Sequence, residues 1–312
     1  MKSIMKSKVL FIVKILLALA IMYFIFKRID YHAVISNIAS IHTSTLIILF
    51  LLSVIKIIIQ VINWGKYLRI NPDYKPQTKE IISSYFAGDA LRFIIPGGYG
   101  ALGKMYFVNN HKRDTFISIG VEKFLQIWST LSFAVFAAIF YFKEINLLLK
   151  LSVTAFVWFS PFLLSFVSSI PKLRFAHKYS SSYNKFIPAV LARQILLMII
   201  TIIQYYVIMS NFTTVHFLHV FIAVPLILSA NLIPITYAGL GLRETFAIKV
   251  LHQYGIYASV SVTCSLIVFA ISNIPSALLG AYFIAAKKHE YKSLSDIGSP
   301  ELQSGESCEK RI

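Results

Sequence analysis

Charged side chains stand inside apolar runs of this chain, at spacings that suit either the binding of an anion or the joining of helices. Asp89 and Arg92 lie three apart in "YFAGDALRFIIP", so on a helix they share a face and can pair. Glu122 and Lys123 are adjacent in "SIGVEKFLQIW", a turn or so into an apolar run. Arg193 falls near the start of "AVLARQILLMII", and Arg243 and Glu244 follow a Gly-Leu-Gly. An ionisable group at membrane depth is costly, and it faces a partner or an aqueous cavity. Two roles are open to Arg243: contact with a negatively charged headgroup, or an ion pair with Glu244 or Glu122 that ties helices together. Arg193 either lines the same cavity or snorkels to the interface, as Lys56 and Lys249 are expected to do. Gln60, Asn63, Gln126, Gln194, Gln204 and Asn231 either extend a polar lining or hydrogen-bond between helices, for about 0.6 kcal/mol each. Trp64, Tyr67, Tyr141 and Tyr282 read as an interfacial belt.

Beside these charges the chain is broken twice by Pro and Gly. "PGGYGALG" begins at Pro96 and "PITYAGLG" at Pro234; aligned, they share Pro, Tyr, Leu and Gly, and each follows an apolar pair. A cation comes next, Lys104 in one copy and Arg243 in the other, one position out of register. Irregular backbone in lipid leaves N–H and C=O groups unpaired, so it is tolerated where protein buries it or where it lines a wet cavity. Interrupted apolar segments at corresponding positions of two halves point to a transporter-like site, and half-helix N-termini suit a phosphate. The expectation is a pair of re-entrant segments, with the look of an internal repeat. Pro96, Gly97, Gly98, Gly100 and Lys104 then lie on one side of a cavity, and Gly239, Gly241, Arg243 and Glu244 on the other. Two glycine-rich surface loops are the alternative.

An apolar scaffold must position these groups. The 312 residues are 57% hydrophobic and 14% charged, with a mean hydropathy of +0.71, against roughly 45–50% and about 25% in soluble domains. Apolar runs at residues 9–26, 44–62, 116–142, 145–167, 186–209, 217–235 and 256–286 are near the length a bilayer requires, or somewhat longer. Shorter helical pieces at 81–95 and 241–251 adjoin the two breaks. The fold class is an all-α polytopic membrane protein of about seven to eight transmembrane helices. The first run reads as an uncleaved helix, since no small-residue cleavage site follows it. Lys2, Lys6 and Lys8 before it, Lys66, Arg69, Lys75 and Lys79 after the second run, and "KKHEYKS" after the last put both termini in the cytoplasm. An even number of crossings then requires that the segment at 234–251 completes one, or that 256–286 is really two. Residues 1–286 read as one membrane domain and 287–312 as a cytoplasmic tail, disordered from 293 onward.

The net charge of +17 suits anionic headgroups better than nucleic acid, because the basic residues lie between hydrophobic spans. Cys264 and Cys308 make no disulfide framework.

"LRFIIPGGYGALGK", "VEKFLQ" and "IPITYAGLGLRE" together resemble the flippase-like transmembrane domain of lysylphosphatidylglycerol synthases, which also occurs as a stand-alone bacterial and archaeal family. The similarity spans most of residues 9–286. This chain has Lys104 and Lys123 where the family tends to have Arg, and Gln126 where it has an acid. The family's Pro-Gly-Gly-Leu-Gly appears here as Tyr237-Ala238-Gly239-Leu240-Gly241. The resemblance implies transfer of an anionic or modified lipid across a prokaryotic cytoplasmic membrane, in a cavity between the two broken elements. The synthases' aminoacyl-transferring domain has no counterpart in residues 287–312, so the chain is not expected to aminoacylate lipids by itself.

Three function classes follow. A translocator of an anionic phospholipid or lipid-linked envelope precursor leads, with a membrane lipid headgroup as partner and no cofactor or metal. It has no Gly-x4-Gly-Lys-Ser/Thr loop, so its transport is passive, gradient-coupled or driven by a partner. An integral membrane transferase is second, although no Asp-x-Asp, metal-spaced His pair or Gly-x-Ser-x-Gly elbow exists, leaving Asp89, Glu122 and Glu244 as its carboxylates. Third is a non-transporting scaffold for envelope-synthesis enzymes, acting through residues 64–79 and the tail. Assembly with further copies of the chain is compatible with each class.

Overall fold

A computed structural model describes residues 31–94, 99–167, 174–233 and 241–297. The described chain is helical, with no strand among these residues. Its helices are α1 (Tyr31–Ala39), α2 (Thr43–Leu68), α3 (Thr78–Ile94), α4 (Lys112–Tyr141), α5 (Leu147–Val167), α6 (Arg174–Met209), α7 (Phe217–Ser229), α8 (Leu242–His252) and α9 (Ala258–Ile297). Two tighter 3-10 segments complete it, Tyr99–Phe107 and Ala230–Leu232. Helix is the secondary structure these sequences must take in lipid, where each backbone N–H has to find its acceptor within its own segment.

The described helices include four long and apolar enough to cross a membrane: Thr43–Leu68, Lys112–Tyr141, Lys178–Met209 and Ala258–Lys287. Leu147–Leu163 and Phe217–Leu232 are shorter apolar helices. The protein is therefore an all-α polytopic membrane protein, as its sequence predicts. The expected first span, 9–26, lies outside the described residues. The long run at 256–286 is one helix, not two, with Pro275 inside it. That helix also passes the expected domain boundary at Ala286 and continues to Ile297, so residues 293–297 are helical.

Two hydrophobic cores are stacked end to end, and the long helices run through both. Trp64, Tyr67, Tyr85, Leu125, Trp128, Tyr183 and Phe186 belong to one core, on the C-terminal end of α2 and the N-terminal halves of α4 and α6. Leu49, Phe133, Ile202, Met209, Val224, Leu251 and Val260 belong to the other. Trp64 and Tyr67 are thus not interfacial: their side chains are almost wholly buried between α2, α3 and α6.

Each core lies beside one of the broken phrases: Ala101 belongs to the first core, and Ala247, Val250 and Leu251 of α8, which follows the second phrase, belong to the other. At the first, the chain leaves α3 and returns along it as the 3-10 segment. A Cβ on Gly100 would collide with the backbone of Leu91, one on Gly103 with the Leu91 side chain, and one on Gly88 with the Lys104 side chain. Residues 100–104 therefore run back beside 88–91, and only hydrogen at these three positions lets the two segments lie so close. At the second, the 3-10 turn Ala230–Leu232 follows α7 and the chain resumes as α8 from Gly241, whose φ of 88° is the left-handed region open to glycine. Pro96, Gly97, Gly98 and Gly239 lie outside the described residues, as does the turn itself in both phrases.

Helix α9 joins the two hairpins. Phe283 stacks on Phe86 of α3, and Gly280 sits where a Cβ would strike the Phe86 carbonyl oxygen. Further along, Ser265 and Phe269 of the same helix meet Arg243 of α8.

Candidate functional site

The first charged cluster forms where the returning 3-10 segment crosses α4. Lys104 Nζ reaches both carboxylate oxygens of Glu122, at 2.7 and 2.8 Å, and both side chains are nearly inaccessible, at 2% and 4%. The ammonium also lies 4.1 Å from the centre of the Trp64 ring and 5.2 Å from that of Tyr85. Aromatic faces and a bidentate carboxylate together compensate the desolvation of this cation. Glu122 accepts a further bond from Gln126 Nε2 at 3.3 Å, and Gln126 Oε1 accepts from Lys123 Nζ at 3.0 Å. Glu122 and Lys123 are nearer three turns than one into their helix, since α4 starts at Lys112.

Asp89 and Arg92 pair as their spacing predicts, at 3.3 Å. Asp89 is also tied to α9, whose Ser276 donates to it at 2.6 Å, while the Arg92 side chain is about half exposed.

The second cluster caps α8. Glu244 Oε2 accepts the Gly241 backbone N–H at 2.6 Å, and Glu244 Oε1 takes Arg243 Nη2 at 2.6 Å and Arg243 Nε at 3.1 Å. Ser265 Oγ accepts from Arg243 Nε at 2.8 Å and lies 3.0 Å from Glu244 Oε1, to which it donates. The guanidinium rests on the Phe269 ring, 4.6 Å from its centre. Of the two roles left open for Arg243, the geometry is that of the ion pair, and with Glu244 rather than Glu122. The clusters around the two phrases are also apart: Ser265 and Ser276, one in each, are separated by about 16 Å along α9. In each, the cation beside the phrase is paired with a carboxylate of its own cluster, and Lys123 is left on the neutral Gln126.

A different arrangement surrounds Arg193. Its Nε donates to Asn63 Oδ1 on α2 at 2.6 Å, and no carboxylate lies within ion-pair distance among the described residues. Arg193 Nη2 and Asn63 Nδ2 are buried with no acceptor among the described residues. A buried donor left unpaired costs roughly 1–3 kcal/mol, more where the group is charged. Two such donors meeting across one helix–helix contact suit an oxyanion, which a guanidinium holds through parallel N–H bonds.

Lys56 departs from its expected snorkelling. It sits midway along the 26-residue α2 and its Nζ donates to Gln204 Oε1 on α6 at 2.9 Å. Lys249 is exposed on α8. Sequence reasoning also missed Ser276 and Ser265 as carboxylate partners. The signal for Lys56 was present: Ser53, Lys56, Gln60 and Asn63 recur at three- and four-residue intervals and so mark one polar face of α2.

The basic end of the bundle carries a built loop between α2 and α3. Glu80 accepts from Tyr74 Oη at 2.8 Å and from the backbone N–H of Gln77 and Asn109 at 3.0 and 3.2 Å. Burial, with the Glu80 carboxylate beside it, pushes the Tyr74 phenol well above its ordinary pKa. Asp114 accepts from Asn71 and from Tyr179 of α6 at 2.8 and 2.7 Å. Among the described residues no group of three His, Cys, Asp or Glu is placed to hold a metal ion.

No curated protein matches the chain. The family model of the lysylphosphatidylglycerol synthase TM region matches residues 11–280. That range takes in every helix from α1 to α8, both hairpins and both charged clusters, and the chain belongs to this family.

Proposed function

We propose that the protein carries a lipid with a phosphate-bearing headgroup across the bilayer, with the headgroup inside the bundle and the acyl chains left in lipid. The single observation that carries this reading is the pair of unsatisfied donors on Arg193 and Asn63. A headgroup phosphate matches both, and among the described residues no carboxylate lies within ion-pair distance to compete with it. The reading moves the headgroup contact from Lys104 and Arg243, whose charge is already met by Glu122 and Glu244, to the α2–α6 contact. Lys123, which donates to the neutral Gln126, lies on the neighbouring α4.

The same pairings argue for a carrier over a catalyst. Each carboxylate that the sequence offered as a general base faces a cation: Asp89 faces Arg92, Glu122 faces Lys104 and Glu244 faces Arg243. The end of the bundle bearing Lys66, Arg69, Lys75, Lys79, Lys112 and Lys178 is taken as the cytoplasmic face of a prokaryotic inner membrane, by the positive-inside rule.

The test is a dithionite-quenching assay in proteoliposomes containing phosphatidylcholine and a trace of fluorescent phosphatidylglycerol. Wild-type protein is expected to expose the inner-leaflet probe well above the rate of protein-free vesicles. Arg193→Ala should lower that rate about tenfold, the equivalent of one charge-assisted bond of roughly 1.4 kcal/mol. Arg193→Lys should fall between, because an ammonium lacks the planar fork. A wild-type rate equal to the protein-free rate overturns the reading.

A further inference from the structure

Helices α2 and α6 run antiparallel, and their shared face is polar at intervals along its whole length. Near one end Gln194 Nε2 donates to Tyr67 Oη at 3.0 Å, and beside it Arg193 Nε meets Asn63. Midway, Lys56 donates to Gln204 Oε1, and Gln204 Nε2 in turn donates to Ser53 Oγ at 2.8 Å and to the Leu49 carbonyl at 3.2 Å. At the far end Thr45 Oγ1 donates to Asn211 Oδ1 at 3.3 Å. From Thr45 to Tyr67 the helix rises about 33 Å, close to the roughly 30 Å of a hydrocarbon core. The opposite side of α2 is lipid-like, with Ile48, Phe50, Leu51, Ile55 and Ile58 exposed.

Lys56 is the informative rung. It lies about 20 Å from either end of α2, further than a lysine side chain can reach toward water. Snorkelling does not explain it. Nor is it neutralised in the way Lys104 is: among the described residues no carboxylate lies within ion-pair distance, and its acceptor is a neutral amide. The bonds that Gln204 makes to Ser53 and Leu49 aim its carbonyl oxygen at the ammonium, so the cation is held in place while its charge is not cancelled. An ammonium has three donors, and among the described residues one of them is used.

We infer that the α2–α6 seam is the route of the headgroup, and that Lys56 is a second anion-binding position halfway across, about 10 Å along α2 from the Arg193–Asn63 position. This rests on the translocation reading above and adds the path and its midpoint. A carboxylate at this depth would cancel the attraction; neutral ligands leave it available to a phosphate in transit. Passage also requires that each stop be weak enough to leave, which a single lysine with one amide ligand satisfies better than a closed cationic cage. The cargo class is a lipid whose headgroup carries a net negative phosphate.

The experiment compares wild type, Lys56→Met and Lys56→Arg on two readouts. In the proteoliposome assay with fluorescent phosphatidylglycerol, Lys56→Met should lose about tenfold in rate, while Lys56→Arg stays within about threefold. In native mass spectrometry of protein purified with added phosphatidylglycerol, Lys56→Met should retain one lipid fewer than wild type, and Lys56→Arg the same number. Equal rates for wild type and Lys56→Met overturn the relay. If wild type moves no lipid, the translocation reading fails by itself and retention decides the site. One lipid fewer on Lys56→Met then supports an anion position without transport, and equal numbers overturn it.

Discussion

Removing one partner of the Lys104–Glu122 pair should cost far more than removing both. The pair is dry, with 2% and 4% of the side chains accessible and Nζ within 2.8 Å of both oxygens. Breaking such a pair leaves an uncompensated buried charge, at about 3–5 kcal/mol, whereas replacing both members by neutral groups of similar size is often near neutral. The two single losses should differ. Lys104→Met leaves the Glu122 carboxylate with only the Gln126 amide at 3.3 Å, so it belongs at the upper end, about 5 kcal/mol. Glu122→Gln leaves the ammonium on the Trp64 and Tyr85 rings, worth up to about 2 kcal/mol when desolvated, so it belongs near 3 kcal/mol. The double variant should lie within about 1.5 kcal/mol of wild type. Equilibrium unfolding in mixed micelles of mild detergent and SDS measures all four proteins and yields the coupling energy. Additive single effects, with no coupling, would refute the ion pair; a milder loss for Lys104→Met than for Glu122→Gln would refute the role given to the rings.

Other consequences follow from the same kinds of contact. Glu244→Gln strips the charge that holds Arg243 and the Gly241 amide, so it should destabilise by about 3 kcal/mol, and adding Arg243→Met should recover most of the loss. Gly280→Val drives a branched side chain into the Phe86 carbonyl, so α9 should separate from α3; a cysteine pair across that contact should then lose its crosslink, and unchanged crosslinking would contradict the packing. Gly88→Ala meets the Lys104 stem at 2.5 Å and should cost about 1–3 kcal/mol, the usual range for overpacking. Asp114→Asn weakens the hold of α4 on Tyr179 and Asn71, so hydrogen exchange should speed up in the loop at residues 70–77 while α7 and α8 stay unchanged.

What the sequence disclosed and what it hid divide by distance along the chain. Apolar runs and Pro/Gly breaks are local, and they placed most of the described helices, but α6 begins 12 residues before its expected start at 186, α9 runs 11 beyond 286, and α1 was not anticipated, because polar residues extend a helix without any apolar signal. Asp89 and Arg92 were legible as a pair because three residues on a helix set their geometry without further help. Lys104 and Glu122 were each visible as charges, but not as partners, because a chain returning along α3 had to bring one to the other. Trp64 and Tyr67 look interfacial by composition, as aromatics at the end of an apolar run. Only the packing of α3 and α6 against them makes them core. Lys56 was the hardest case: the polar face of α2 can be read from its spacing, but it does not reveal a glutamine 148 residues away. The turns of both phrases, with Pro96, Gly97, Gly98 and Gly239, fall outside the described residues.

The charges of this protein sort by whether anything cancels them, and on the translocation reading that sorting separates architecture from transport. Around both broken phrases a cation and a carboxylate close on each other in dry surroundings. A charge spent in that way holds a hairpin to its helix and has little left for a ligand. Along α2 and α6 the reverse holds: Arg193 and Lys56 face amides, and the Arg193–Asn63 contact retains unmatched donors. Keeping a cation uncancelled in a bilayer is expensive, so a fold that does so twice on one seam has a use for the charge that the folded chain alone does not supply. On the translocation reading, the breaks at the two Pro/Gly phrases serve to set helices in place, and the anion chemistry belongs to the unbroken helices α2 and α6. Moving a carboxylate onto the seam tests the distinction directly. Asn63→Asp should pair with Arg193, raise stability by about 1 kcal/mol or more and suppress phosphatidylglycerol transfer. Transfer that survives alongside the added stability would place the headgroup elsewhere.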